Sequence, residues 1–198
     1  MKRVGLTGNI AAGKSTVGAM FVDEGCRLID SDRITHELLV DDVGVCDAVV
    51  RAFGTGVLDP NGRIDRKKLG AIVFSDPEHR KTLTDILHPV IFVRQQAFLE
   101  ASAQSEPDGI AIVDAALMVE TGNARRFDCL IVVTCRLDQQ RSRLEARGLT
   151  GVDIDARIAA QMPMAEKAAH ADIVIDNSGT LDETRAQVVA AVRQLKSS

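Results

Sequence analysis

A glycine-rich stretch near the start of the chain has the residue types that bind nucleotide phosphates. Residues 8–15 read Gly-Asn-Ile-Ala-Ala-Gly-Lys-Ser and fit the phosphate-binding pattern G-x-x-x-x-G-K-[ST]. Glycines let successive N–H groups turn toward phosphate oxygens, while the lysine adds a mobile cation and the serine a hydroxyl for Mg²⁺. We predict that the nucleotide contacts Asn9, Ile10, Ala11, Ala12, Gly13, Lys14, Ser15 and Thr16. The sequence therefore predicts a site for a nucleoside triphosphate, with Ser15 holding the metal.

Carboxylates follow two predicted strands. Asp30 and Asp32 lie two residues apart, so in extended chain their side chains point the same way. One of them could accept the proton of an attacking hydroxyl, or hold Mg²⁺ through water. Alternatively, Asp32 caps a helix that begins near Arg33. Asp114 ends another apolar strand, where it either reaches the metal or is a solvated turn residue.

Basic side chains are dense between residues 138 and 169. They are Arg141, Arg143, Arg147, Arg157 and Lys167. The guanidinium group binds phosphate oxygens in pairs, so a helical flap bearing these residues could close over the triphosphate. Acidic residues interleave with them, which equally fits a salt-bridged surface helix.

Two further residues have local contexts with two interpretations. Asn177, with Gly179, could present backbone and amide groups to the adenine edge, although Asp-Asn-Ser-Gly is also an ordinary turn sequence. His88 precedes Pro89, and we interpret it as a residue at a helix junction rather than a catalyst.

The elements that position these residues alternate between strands and helices. Short apolar runs predict strands at residues 3–7, 26–29, 110–113, 129–133 and 173–175. Continuous apolar strands separated by helices are typical of a parallel sheet covered on both faces. Ligands of such folds bind at the carboxyl ends of the strands, which is where the loop and the three aspartates lie. We predict a three-layer α/β fold with a five-stranded parallel sheet.

The remaining helices predict two additions to this core. Residues 33–107 are too long for a simple crossover and predict a helical substrate-binding subdomain, in which Pro89 kinks or restarts the last helix. Residues 138–169 predict a helical lid. The nucleotide core then comprises about residues 1–32, 108–137 and 170–198.

The charge and cysteine content of the chain exclude several classes of binding partner and site. The chain has 198 residues, a net charge of −4 and a pI near 5.6, which argues against binding to nucleic acid or to a membrane surface. The four cysteines form no C-x-x-C pair, and no apolar run approaches the length of a membrane span. The first predicted strand begins too close to Met1 for a signal peptide. We expect a cytoplasmic protein that is a monomer or at most self-associates weakly.

Taken in order, the motifs closely resemble the dephospho-coenzyme A kinase family. The resemblance rests on Gly5-Leu6-Thr7-Gly8 with Gly13-Lys14-Ser15, Ile29-Asp30-Ser31-Asp32, Asp65-Arg66 with Leu69 and Ile72-Val73-Phe74, His88-Pro89-Val90-Ile91, Gln140-Arg141 with Arg147, Arg157-Ile158 with Gln161-Met162, and Glu166-Lys167 through Ala171-Asp172 to Ile175-Asp176-Asn177. It implies a P-loop kinase fold and transfer of the ATP γ-phosphate, with Mg²⁺, to the ribose 3′-hydroxyl of dephospho-coenzyme A.

The resemblance also implies roles for single residues. Asp32 would be the base, Lys14 and Arg141 would stabilise the transferred phosphoryl group, and Asn177 would lie near the adenine. We also assign Arg147 to the nucleotide. The chain departs from the family pattern in the loop, where residues 8–12 replace Gly-Gly-Ile-Gly-Ser, and at residues 116–118, which replace Pro-Leu-Leu while Glu120 is retained.

Two other functions fit parts of the sequence. Another P-loop kinase, acting on a nucleoside monophosphate or a small alcohol, would share the loop and the sheet. A GTPase-type switch would use D-x-x-G, a pattern that residues 59–62 and 176–179 match, but the chain contains no guanine-reading N-K-x-D.

Overall fold

A computed structural model describes residues 1–197, except for the side chains of residues 74 and 75. At its centre is a parallel sheet whose strands lie in the order β2-β3-β1-β4-β5. The strands are β1 (Lys2–Gly8), β2 (Arg27–Asp30), β3 (Ile110–Asp114), β4 (Cys129–Thr134) and β5 (Ile173–Asp176). The five predicted strands are confirmed, with bounds that differ by one residue at most. Since β1 connects toward β2 and β4 toward β5, the loop after β1 lies at the switch point where ligands bind.

Helices connect the strands. They are α1 (Lys14–Asp23), α2 (Ser31–Asp41), α3 (Val43–Phe53), α4 (Arg66–Ser75), α5 (Pro77–Ser105), α6 (Leu137–Glu145), α7 (Gly151–Ala159), α8 (Met164–Ala168) and α9 (Leu181–Ser197). None of the described helices is both long and apolar enough to cross a bilayer.

The core lies between the sheet and the helices. On one face α1 and α9 pack on alternate strand residues, and the buried set includes Phe21, Val188, Leu6 and Ile131. The other face is close-packed too, because a Cβ atom at Gly5 would lie 2.4 Å from Met118 Sδ. Strand residues of both parities are therefore buried, which explains the continuous apolar runs in the sequence.

Two compact units divide the chain. One comprises residues 1–30 and the residues from 99 onward, and the other comprises residues 31–98. The second unit also contains buried apolar side chains, which are Ile34, Leu38, Leu39, Val45, Val49, Val57, Ile64, Leu69 and Leu87. It covers most of the predicted helical insertion, whose Phe74 side chain lies outside the described residues. Its boundary falls inside α5, because one helix continues from this unit into the other and no turn marks the limit.

The predicted restart of the helix at Pro89 is wrong. Helix α5 runs without a break from Pro77 to Ser105, with Pro89 inside it, so His88 lies at no junction. A proline removes one backbone hydrogen bond and crowds the carbonyl group four residues earlier. Pro89 is exposed, so water can solvate that carbonyl group.

The predicted lid is also segmented. Residues 138–169 form α6, α7 and α8, which are joined by turns, rather than one helical stretch. Gly148 adopts a left-handed conformation after α6, and the Thr150 hydroxyl accepts from Asp153 N to cap α7. Both are local signals of a helix end and a helix start.

Candidate active site

The phosphate loop leaves β1 and enters α1 as the sequence predicts. A Cβ atom at Gly8 would lie 2.6 Å from the Val133 carbonyl oxygen, so only glycine allows this approach to β4. Gly13 precedes α1 with a φ of 97°, and no side chain caps the helix. The first N–H groups of α1 and the positive end of its dipole are therefore available to an anion.

A tight turn shapes the first half of the loop. Ala12 N donates to Asn9 O over 3.0 Å, and Ala11 inside the turn has a φ of 58°. Among the described residues, Ala11 is the one non-glycine residue with a positive φ. An L residue pays about 1–2 kcal/mol for this conformation. The Ala11 methyl group packs against Leu144 and Ile154, and this burial offsets part of that cost.

Lys14 is already paired with a carboxylate. Its ammonium group contacts Asp114 Oδ1, and the two side chains are only 11% and 3% exposed. Asp114 ends β3, and in the sheet it lies beside Leu6 of β1 and Asp30 of β2. The strand ends thus bring Lys14 and a carboxylate together from positions 100 residues apart.

The oxygen atoms at this edge suit Mg²⁺ bound with phosphate. Asp30 aligns with Asp114 in the parallel register, and Ser15 in the first turn of α1 is exposed. Magnesium usually takes one or two carboxylates, with phosphate and water oxygens completing its octahedron. Among the residues that the structure describes, no three His, Cys, Asp or Glu side chains form a metal cluster. The Ser15 hydroxyl and the two aspartates therefore fit a magnesium ion that also binds phosphate oxygens.

Asp32 occupies the first turn of α2. The helix begins at Ser31, so Asp32 lies one residue inside it rather than at the N-cap position that the alternative interpretation required. A carboxylate there still interacts favourably with the helix dipole. Within the same unit, Gln95 Nε2 donates to Ser31 Oγ over 2.9 Å, and this buried contact fixes the turn that carries Asp32.

Residues of the predicted lid hold the phosphate loop from outside. Ile10 N donates to Gln161 Oε1 over 2.8 Å, and Gln140 Nε2 donates to Ile10 O over 2.7 Å. Asn9 Nδ2 donates to Met162 O over 2.9 Å. The two glutamines belong to the quoted family motifs, but sequence reasoning gave them no role. An amide side chain can satisfy a backbone donor or acceptor equally well, and only the fold shows which group it meets.

Arg143 and Asn177 also contact the loop. Arg143 Nη1 donates to the carbonyl oxygens of Ala11 and Ala12, and Nη2 donates to Asn177 O. The buried Asn177 side chain donates from Nδ2 to Ala12 O over 2.8 Å. Its amide thus already has a protein partner, a contact that the predicted position near adenine did not anticipate.

The other predicted arginines are more exposed. Arg141 Nη2 pairs with Asp155 Oδ1 on α7, and the two side chains are 43% and 62% exposed. This ion pair joins α6 to α7, whereas the salt-bridge interpretation expected pairs along one surface helix. Arg147 and Arg157 are exposed as well.

Lys167 has a structural partner rather than a place on a basic surface. Its fully buried ammonium group lies 2.8 Å from Glu120 Oε1 and donates to Ala116 O over 2.9 Å. Thr7 Oγ1 donates to the same carbonyl oxygen over 3.1 Å. This network fixes the loop after β3, where the chain departs from the family's Pro-Leu-Leu.

The four cysteines are free thiols. Cys46 is partly exposed, and the other three are buried. Burial raises the pKa of Cys26 and of Cys129 to about 11, and it also raises the pKa of Cys135, whose thiol lies against Ala11 O. They behave as small apolar side chains, as the sequence predicts.

Comparison with known proteins identifies the family. A family model described as dephospho-CoA kinase matches residues 2–183. The chain belongs to the dephospho-CoA kinase family. It is 46% identical over 195 residues to a dephospho-CoA kinase of Symbiobacterium thermophilum, an alignment that covers 98% of this chain and 81% of that one. A dephospho-CoA kinase of Aquifex aeolicus is 40% identical over 195 residues, with 98% of each chain covered.

Solved structures share the fold of this dephospho-CoA kinase family member. TT1252 from Thermus thermophilus superposes with a TM-score of 0.83 at 32% identity, covering 98% of this chain and 96% of that one. A dephospho-CoA kinase from Campylobacter jejuni superposes with a TM-score of 0.70 at 26% identity, and the match covers 98% of this chain and 97% of that one. A shikimate kinase from Bacteroides thetaiotaomicron shares the fold. It superposes with a TM-score of 0.55 at 15% identity, and the match covers 98% of each chain. The predicted P-loop kinase fold is confirmed, and the chain is an ATP-dependent transferase. No finding supports the GTPase alternative.

Proposed function

We propose that this chain transfers the γ-phosphate of ATP to the ribose 3′-hydroxyl of dephospho-coenzyme A, giving coenzyme A and ADP. The family match supports the acceptor. The observation that carries the proposal is the placement of Lys14, at the uncapped start of α1, against Asp114 at the end of the neighbouring strand β3. A cation held beside backbone donors is what the transferring phosphoryl group requires.

Lys14 changes partner in this mechanism. Its ammonium group leaves Asp114 for the β- and γ-phosphates, and the N–H groups of residue 11 and residues 13–16 bind the phosphate oxygens. Charge that moves to the leaving oxygen is then met by a positioned cation. Asp114 keeps the ammonium group ordered before this exchange, which reduces the entropy lost in the transition state.

Ser15, with Asp30 or Asp114 through water, would hold Mg²⁺, which neutralises phosphate charge and orients the triphosphate when it is bound. The register that aligns Asp30 with Asp114 supports this assignment.

Asp32 is the proposed base. A ribose hydroxyl is a weak nucleophile, and a carboxylate at hydrogen-bond distance orients it and accepts its proton as the bond to phosphorus forms. The fixed first turn of α2 supports the assignment, since the Ser31–Gln95 contact restrains the backbone that bears Asp32.

Residues 138–169 act as the lid in this proposal. Arg141 exchanges its exposed partner Asp155 for the transferring phosphoryl group, and Arg147 binds the nucleotide. An exposed ion pair contributes less than about 1 kcal/mol, so little energy opposes that exchange. The backbone around Asn177 lies near the adenine, while the Asn177 side chain holds the loop.

We further propose that the protein works as a monomer in the cytoplasm, without a nucleic-acid partner. One chain carries every group named above, which supports catalysis without a second copy. Four free cysteines fit a compartment that keeps thiols reduced.

The acceptor is tested by incubating the protein with Mg²⁺-ATP and a panel containing dephospho-coenzyme A, nucleoside monophosphates and shikimate. Mass spectrometry should show phosphate gained by dephospho-coenzyme A alone. A phosphatase specific for the 3′ position should then remove that phosphate, which confirms where it was attached. The matched control is Lys14→Met, which should remove the product. Phosphorylation of a nucleoside monophosphate at the higher rate would support the runner-up kinase instead.

A further inference from the structure

We propose that Arg143 and Asn177 are positioning residues that aim the backbone N–H of Gly13 at the triphosphate. They do this by holding the carbonyl group on the other side of the same peptide. The two residues keep the phosphate loop in its binding shape. The Asn177 side chain thus has a function in addition to the proposed position near the adenine.

The geometry begins with the peptide between Ala12 and Gly13. Ala12 O accepts from Asn177 Nδ2 over 2.8 Å and from Arg143 Nη1 over 3.2 Å. In a trans peptide the C=O and N–H groups point in opposite directions. Two donors on the carbonyl oxygen therefore fix the Gly13 N–H so that it faces away from them, toward the uncapped start of α1.

Arg143 also braces the preceding turn. Nη1 donates to Ala11 O over 3.0 Å, and this carbonyl belongs to the residue with the unfavourable φ of 58°. Nη2 donates to Asn177 O over 3.1 Å, so one guanidinium group ties the loop to the end of β5. The planar, five-donor guanidinium can reach these three acceptors at once, whereas an ammonium group on a flexible stem cannot hold the same arrangement.

The Asn177 amide is held in one orientation. Ala12 O can only accept, so Nδ2 faces the loop, while the fully buried Thr184 Oγ1 of α9 shares its proton between Asn177 Oδ1 and Thr180 O, each 3.1 Å away. The fit is tight, since a Cβ atom at Gly13 would lie 1.9 Å from Asn177 Nδ2. Asn177 therefore meets the loop through an amide that is buried and oriented on both sides.

These contacts predict which part of the nucleotide binds more weakly when they are lost. A residue that aims Gly13 N–H affects the phosphates, whereas a residue that reads adenine affects the base. Inorganic tripolyphosphate and adenosine separate the two, because each contains only one of these parts. The comparison does not involve the acceptor, so it stays valid whichever alcohol the enzyme phosphorylates.

The experiment measures the affinity of four variants for tripolyphosphate, adenosine and ATP by calorimetry, or by NMR titration where binding is weak. Asn177→Ala and Arg143→Lys should each weaken the binding of tripolyphosphate and of ATP by the same factor, at least about tenfold. The affinity for adenosine should stay unchanged. Arg143→Lys keeps the positive charge, so its loss of affinity reports on lost geometry. Thr184→Val, which removes the hydroxyl contacts with the Asn177 amide and with Thr180 O, should give a smaller loss of about two- to fivefold. Arg185→Gln, which removes an arginine paired with Asp23 away from the loop, is the matched control and should bind all three probes normally.

Each outcome decides the proposal. If Asn177→Ala loses affinity for adenosine while its affinity for tripolyphosphate is unchanged, the Asn177 amide binds the base, and the proposal is overturned. Normal tripolyphosphate binding by Arg143→Lys would show that Arg143 acts only through its charge. Melting temperatures identify unfolding, and if Asn177→Ala fails to fold, the milder Thr184→Val still tests the amide by its ratio of tripolyphosphate to adenosine affinity.

Discussion

Replacing Lys14 should affect stability as well as catalysis, because the lysine neutralises a buried carboxylate. Lys14→Met preserves most of the side chain's volume but leaves Asp114, which is 3% exposed, without its ammonium partner. Removing one member of a buried ion pair typically costs about 3–5 kcal/mol. Since the Lys14 side chain is still 11% exposed, we expect the lower end, about 3 kcal/mol. For a chain of this size that lowers the melting temperature by about 6–12 °C.

A double-mutant cycle isolates the pair. Asp114→Asn removes the carboxylate charge, so Lys14→Met/Asp114→Asn should recover at least about 1.5 kcal/mol relative to the sum of the single changes. Urea denaturation of the four proteins without nucleotide gives the free energies of unfolding, and turnover should fall on the order of 10³-fold in Lys14→Met. Lys81→Met is the matched control, because Lys81 pairs with Asp85 at 2.7 Å on the surface and should show no measurable loss.

Two results would refute this reasoning. Additive single changes would mean that the Lys14–Asp114 contact contributes nothing to folding. A Lys14→Met variant that retains more than about a tenth of normal kcat/KM would mean that the loop does not position a transferring phosphate.

Three further predictions concern the base, the lid and pH. Asp32→Asn should keep ATP binding and change stability by no more than about 1 kcal/mol, while kcat falls at least about 100-fold; normal turnover would leave Asp32 a helix residue only. Hydrogen exchange in residues 138–169 should slow when ATP and acceptor are both bound, and unchanged exchange at saturation would exclude a closing lid. The Arg3 guanidinium, by hydrogen bonding, lowers the pKa of Asp128, so their contact stabilises the fold above about pH 4 and is lost as pH falls through the lowered pKa. Both side chains are about a third or more exposed, so we expect the contact to stabilise the fold by less than about 1 kcal/mol. The measurement is the difference in unfolding free energy between wild type and Asp128→Asn from pH 6 to pH 2.5. This difference should vanish at the acid end.

The chemistry that depends on neighbouring residues could be predicted from the sequence. Residues 8–15 carry the whole pattern of a phosphate loop, and each strand has a continuous apolar run because both faces of the sheet are covered. Strand bounds, the free cysteines and the aspartates at strand ends follow from such local patterns. The family could also be predicted, because its motifs occur in a fixed order along the chain.

Contacts between distant residues were decided only by the tertiary structure. The residue pattern gives Arg141 and Arg143 the same interpretation as lid arginines, yet one pairs with an exposed aspartate and the other holds loop carbonyl groups 131 and 132 residues away. Lys167 reads as part of a basic segment but is buried against Glu120. Pro89 predicts a kink or a restart of the helix, and the continuous helix α5 shows no restart. The reason is physical: a pattern fixes what a residue can do locally, but the partner of a long polar side chain depends on which distant backbone the fold brings within about 3 Å.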